Sequence, residues 1–157
     1  MLKAVCFPHV DDQFESPIEL MEWLDNDLRT THRGYYRYRK APGLGTLEPG
    51  SIVFFYKNGL IVGSAVVEKH SRSLEPSEIE RCDEIRAEDD SCSGMINVVK
   101  LFTESIWVWD EHELISKDEF NRITTKDLSH YVTIDPDDVL KLYGLVAKKK
   151  AEMDSRV

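Results

Sequence analysis

The sequence predicts an α+β fold, a small, partly open antiparallel β-barrel with short flanking helices. Two observations carry that prediction. The strand-like runs are short and separated by irregular insertions, and helix-start signatures fall between them without the regular strand-helix alternation that a doubly wound parallel sheet requires. In addition, Asn58-Gly59 joins two apolar runs directly, and this dipeptide tolerates the positive φ angles of a type I′ hairpin turn.

Leu2 to Phe7 mixes apolar and β-branched residues before Pro8 and reads as a first strand. Ser16-Pro17-Ile18-Glu19 combines an N-cap serine, proline at the first helical position and glutamate at N3, so a helix begins at Pro17. Ile18, Met21, Leu24 and Leu28, with Leu20 beside them, give it an apolar stripe that ends near Arg29. Pro49-Gly50 is a turn, Ile52 to Tyr56 an apolar strand, and Leu60 to Glu68 the strand that returns from Asn58-Gly59. Gly63 within the returning strand marks a bulge or the close approach of another backbone. Ser77 to Ala87 reads as an acidic surface helix, Met95 to Phe102 and Ser105 to Trp109 as strands, and Ser116 to Glu119 as a helix start. Tyr131 to Ile134 is a last strand, and Asp135-Pro136-Asp137-Asp138 opens a final helix with Val139, Leu142, Tyr143 and Val146 on one side. One domain over residues 1–150 is expected, with 151–157 as a disordered tail.

The chain has 157 residues, 41% hydrophobic and 31% charged, a globular composition without an apolar run long enough for a membrane span. The first residues lack the basic and apolar regions of a secretory signal, so a soluble cytoplasmic protein is expected. Cys6, Cys82 and Cys92 are too few and too widely spaced for a disulfide framework or a zinc knuckle, and neither metal nor cofactor is expected. The net charge of −9 argues against indiscriminate attraction to phosphate, so a nucleic-acid function requires basic charge segregated on one surface.

Such segregation exists locally. Arg29, Arg33, Arg37, Arg39 and Lys40 fall in a segment free of acidic residues, interleaved with Tyr35, Tyr36 and Tyr38 and accompanied by His32. Guanidinium groups pair bidentately with phosphate, and tyrosine rings stack on bases. The same alternation also describes a half-buried strand with tyrosines inward and arginines outward, and both readings stand at this point. Trp107 and Trp109 flank Val108 and are expected on one face, where two indoles could wall a pocket or simply pack in the core. Glu111-His112-Glu113 reads as a solvated turn, and no phosphate loop, zinc helix or nucleophile elbow motif occurs in the sequence.

The stretch Glu48 to Tyr56, then Asn58-Gly59 and Ile61 to Val67, resembles the central hairpin of PUA-like domains, the superfamily that includes EVE, YTH and ASCH modules. Ser51 stands where that pattern often has an aspartate. The resemblance implies a curved sheet that binds RNA or DNA, with a modified or flipped base held in an aromatic pocket. On this chain the candidates for pocket and backbone contact are Arg33, Tyr35, Tyr36, Arg37, Tyr38, Arg39 and Lys40, joined by Trp107 and Trp109. Bacterial relatives often accompany nucleases, and with no nuclease motif here a cutting partner would be a separate protein. Two alternatives remain beside this non-catalytic reader. Some ASCH relatives hydrolyse an amide on a modified nucleoside with lysine, threonine and an acid, for which Lys57 and Glu68 lie near the hairpin. The tyrosine-arginine face would also suit a protein-interaction module.

Overall fold

The fold is read from a computed structural model that describes residues 2–9, 14–39, 43–74, 96–128 and 131–155. The expected acidic helix at 77–87, Cys82, Cys92 and Lys40 lie outside the described residues. The strands are β1 (Ala4–Pro8), β2 (Tyr35–Arg39), β3 (Ile52–Lys57), β4 (Leu60–Ser73), β5 (Ile96–Leu101), β6 (Trp107–Val108), β7 (Ile115–Ser116) and β8 (Val132–Thr133). The first helix, α1, runs as α-helix over Pro17–Glu22 and continues as π-helix over Trp23–Leu28, while α2 spans Lys117–Thr124 and α3 spans Pro136–Asp154.

These form one mixed eight-stranded sheet of order β2-β5-β4-β3-β1-β8, with β6 and β7 on the free edge of the first half of β4. The α+β class is as the sequence predicts, but the sheet is not purely antiparallel, because β1 lies parallel to β3. Its end strands β2 and β8 are not paired with each other, so no closed hydrogen-bonded barrel forms among the described residues. The sheet nevertheless curls strongly. Four strand spacings separate β2 from β1, about 19 Å in a flat sheet, yet the rings of Tyr38 and Phe7 lie 4.7 Å apart. The long β4 makes this curl possible. Its first half pairs with β3 and its second half with β5, through register shifts on both sides.

Local sequence accounts for the central hairpin. Asn58 and Gly59 adopt φ of 46° and 87°, as a type I′ turn demands, and β4 returns along β3 from there. Gly63 meets both parts of its expectation. The register slips between Phe55 and Tyr56 on the facing strand, and a Cβ at Gly63 would lie 2.4 Å from the Trp107 carbonyl oxygen, so β6 can approach only a glycine. Ser51, fully buried, accepts a hydrogen bond from the Lys3 amide at 3.1 Å and so ties the entry of β1 to β3.

The helices follow their caps. Ser16 accepts from the Glu19 amide, and Ser116 with Glu119 closes a complete capping box. The buried stripe of α1 is Leu20, Leu24 and Leu28, whereas Ile18, expected inside, faces solvent. Helix α3 continues through Asp154, past position 150 where the sequence reading ends the domain. The core is continuous from α1 across the sheet to α3. No helix among the described residues is long and apolar enough to cross a membrane.

Candidate nucleic-acid interface

The segment from Tyr35 to Arg39 is a strand whose alternation sorts its side chains. Tyr36 and Tyr38 are buried, Tyr35 and Arg39 are exposed, and Arg37 is half-buried. The tyrosines therefore do not form an exposed stacking surface with the arginines, and the expectation of one continuous tyrosine-arginine patch is corrected. A pleated strand sends neighbours to opposite faces, and the curled sheet covers one of them.

Inside the curl, Tyr36 and Tyr38 join a connected array of rings. Tyr36 packs edge-on to Phe55 at 5.3 Å and to His9 at 5.9 Å, and both tyrosines contact Phe7. The Tyr36 hydroxyl is 2.8 Å from His9 Nε2, while His9 Nδ1 is 3.1 Å from the Tyr56 carbonyl oxygen. A carbonyl can only accept, so in the neutral ring Nδ1 carries the hydrogen and Nε2 accepts from Tyr36. The array continues outward through Phe14 to Trp23, which lies 5.5 Å from both Phe14 and His32 and 6.5 Å from Tyr36. Trp23 and His32 are half-buried, so the array reaches solvent at their rim. In the sequence His32 stands out only as an extra donor, and no local pattern marks His9, Phe14 or Trp23. The π-helical segment that begins at Trp23 is a type of irregularity frequent at functional sites, but it leaves no mark in the residue pattern.

The basic residues are dispersed. Arg29 donates to the carbonyls of Thr103 and Ile106 and pairs with Asp25, so it pins α1 to the 103–106 turn. Arg33, at φ 50°, sits at the turn between α1 and β2, is exposed, and makes no ion pair among the described residues. Gly34 beside it donates to the Leu28 carbonyl and accepts from the Leu101 amide, so the turn is locked between helix and strand. Tyr35 lies opposite Lys100, whose ammonium stands 5.8 Å over the ring and pairs with Glu68 at 2.7 Å. One guanidinium nitrogen of Arg37, Nη1, is shielded from solvent and has no hydrogen-bond partner among the described residues.

Trp107 and Trp109 belong elsewhere. Phe54 and Phe55 point to opposite faces of β3, and the tryptophans lie on the Phe54 side, away from the tyrosines. Trp107 is 44% exposed and stacks on Tyr143 of α3, whereas Trp109 is 1% exposed and packs on Phe54. The two indoles share a face, as the sequence predicts, and meet edge to face at 5.9 Å, with Trp109 as core packing and Trp107 outermost. The eight candidate residues that are described are thus not brought together in one site.

Lys57 and Glu68 do not meet: Lys57 pairs with Leu60, eight residues of β4 from Glu68, on the order of 26 Å along an extended strand. Asp110, His112 and Glu113 bring their ligand atoms within 4.8 Å of one another, but both carboxylates already form the capping box of the Glu111–Glu113 turn. Burial, reinforced by the neighbouring Asp110 carboxyl, holds the Glu113 carboxyl above its usual range.

Comparison with protein-family models gives no match, and comparison with curated proteins gives none either. Among solved structures, the chain is similar to ASCH from Zymomonas mobilis, with a TM-score of 0.54 and 11% identity over 91% of this chain and 95% of that one. That likeness is one of fold: the mixed, curled sheet with its flanking helices has an architecture similar to that ASCH structure.

Proposed function

We propose that the chain is a non-catalytic nucleic-acid-binding module that takes an unpaired or flipped base, modified or not, at the rim formed by Trp23 and His32. The observation that carries this reading is the ring array that runs from the interior of the curled sheet to a half-exposed rim, with the exposed Arg33, which has no ion pair among the described residues, one residue from His32. A base offers a planar face to the rim, and its phosphate requires a nearby cation. Tyr35 and Arg39 are exposed on the opposite face of β2, with Arg37 half-buried between them, and lie outside this rim. The PUA-like fold supports the reading as an architecture, and Trp107 and Trp109 are no part of this site.

The test is a binding titration with single-stranded and duplex DNA and RNA, modified and unmodified, at several salt concentrations. Arg33→Ala is expected to lower the salt slope by about one, and His32→Ala to weaken binding of single strands more than of duplex. Weak retention of every nucleic acid alike, unchanged by either substitution, overturns the reading.

A further inference from the structure

The register between β2 and β5 defines a second face at the edge of the sheet, opposite the ring array. Tyr35 stands against Lys100, Arg37 against Val98 and Arg39 against Ile96, and facing residues of an antiparallel pair share a side. Lys69 and Arg72 of β4 continue the first two rows. Phe102 follows the buried Leu101 with extended backbone, φ −64° and ψ 120°, and its amide donates to the Val66 carbonyl. Alternation therefore returns the Phe102 ring to the Lys100 side. Tyr35 and Phe102 are 41% and 40% exposed, whereas Val98 and Ile96 are buried, so the open end of this face is the one that holds the two rings. In strand geometry such diagonal neighbours lie about 7–8 Å apart. The Lys100 ammonium stands over the tyrosine ring.

Charge is segregated on the same strands. In a chain of net charge −9, β2, β4 and β5 carry Arg37, Arg39, Lys69, Arg72 and Lys100 but a single carboxylate, Glu68. Arg37 also keeps a guanidinium donor, Nη1, without a hydrogen-bond partner among the described residues.

We propose that this face is a second nucleic-acid surface, on which a single strand stacks one unpaired base on Tyr35 and another on Phe102, with its phosphates beside Lys100 and Arg37. Flat rings on a sheet with cations between them hold successive bases without reading their edges. The path from the Trp23 rim is short. The Tyr35 amide donates to the His32 carbonyl at 2.8 Å, so only the Arg33 turn separates the two surfaces, at the end strand of the sheet. A strand with one base at the rim can lay its neighbours over the edge of β2 onto Tyr35. The proposal rests on the nucleic-acid reading above and adds that several nucleotides of single strand are held at once.

Titration of the whole chain with fluorescent single-stranded DNA and RNA of about eight nucleotides tests this. Tyr35→Ala and Phe102→Ala should each raise the dissociation constant at least about fivefold, while Tyr35→Phe, which keeps the ring, should leave it nearly unchanged. Arg37→Ala should lower the salt slope by about one. Leu140→Ala, at an exposed apolar position on α3, should change nothing. Thermal unfolding checks that every variant folds. Binding that responds to His32→Ala or Arg33→Ala but ignores Tyr35→Ala and Phe102→Ala overturns this surface and leaves the rim standing. Binding that responds to the two ring variants but ignores His32→Ala and Arg33→Ala upholds this surface and removes the rim. Absence of binding, or binding indifferent to all four, overturns both.

Discussion

Phe54 and Phe55 are adjacent on β3, yet they belong to two aromatic clusters built in different ways. The Phe55 cluster is enclosed by the sheet itself: Phe7 from β1 and Tyr36 and Tyr38 from β2 meet across the curl, and among the described residues Trp23, His9 and His32 reach its margin. The Phe54 cluster is enclosed by a helix. Tyr143 covers Phe54 and donates its hydroxyl to Ser64 at 2.9 Å, while Trp107 lies outermost on the tyrosine ring. Rings of the same chemistry are therefore interior on one side and partly surface on the other. What differs is whether another layer lies beyond them.

The comparison is broken most strongly at its centre. Phe55→Ala removes a fully buried ring and should cost about 3–5 kcal/mol in urea unfolding, whereas Trp107→Ala, at a ring 44% exposed, should cost well under half as much at low protein concentration. Equal costs would mean that Trp107 is as enclosed as Phe55. Next in size is Gly63→Ala, which forces β6 off β4 against the Trp107 carbonyl and should destabilise by about 1–3 kcal/mol. An unchanged midpoint would show that β6 can yield freely.

The smallest expected effect depends on pH. Glu113 has its carboxyl held above the ordinary value of 4.5 by burial first and the Asp110 carboxyl second. Between the unfolded and folded values the native state binds the extra proton, so this group makes stability fall as pH rises through the folded value. Glu113→Gln keeps an acceptor for the Asp110 amide, which lies 3.3 Å from Oε1. It should raise the unfolding midpoint at pH 7, and the gain should fade as pH drops below the unfolded value. A gain that persists unchanged in acid would assign it to packing instead.

Much of the fold was legible in local residues. Asn58-Gly59 dictates the turn, Gly63 announces the close approach, and Ser16 and Ser116 mark their helix starts, because each acts through the backbone within a few residues of itself. The site was legible only in part. Alternation in Tyr35 to Arg39 correctly admitted a strand, but nothing local tells which face of a strand will be covered. Arg29 looked like one more cation of a binding segment until the 103–106 turn placed two carbonyls against it.

By itself the sequence determined the α+β class, the β3-β4 hairpin and most element starts, since these depend on backbone preferences and neighbouring side chains. Only the tertiary structure decided that β1 runs parallel to β3, that β2 curls to face β1, and that the tyrosines and tryptophans part to opposite faces. Those outcomes rest on contacts between residues tens of positions apart, whose pairing is settled by which apolar faces can be buried together and not by any one segment's preference.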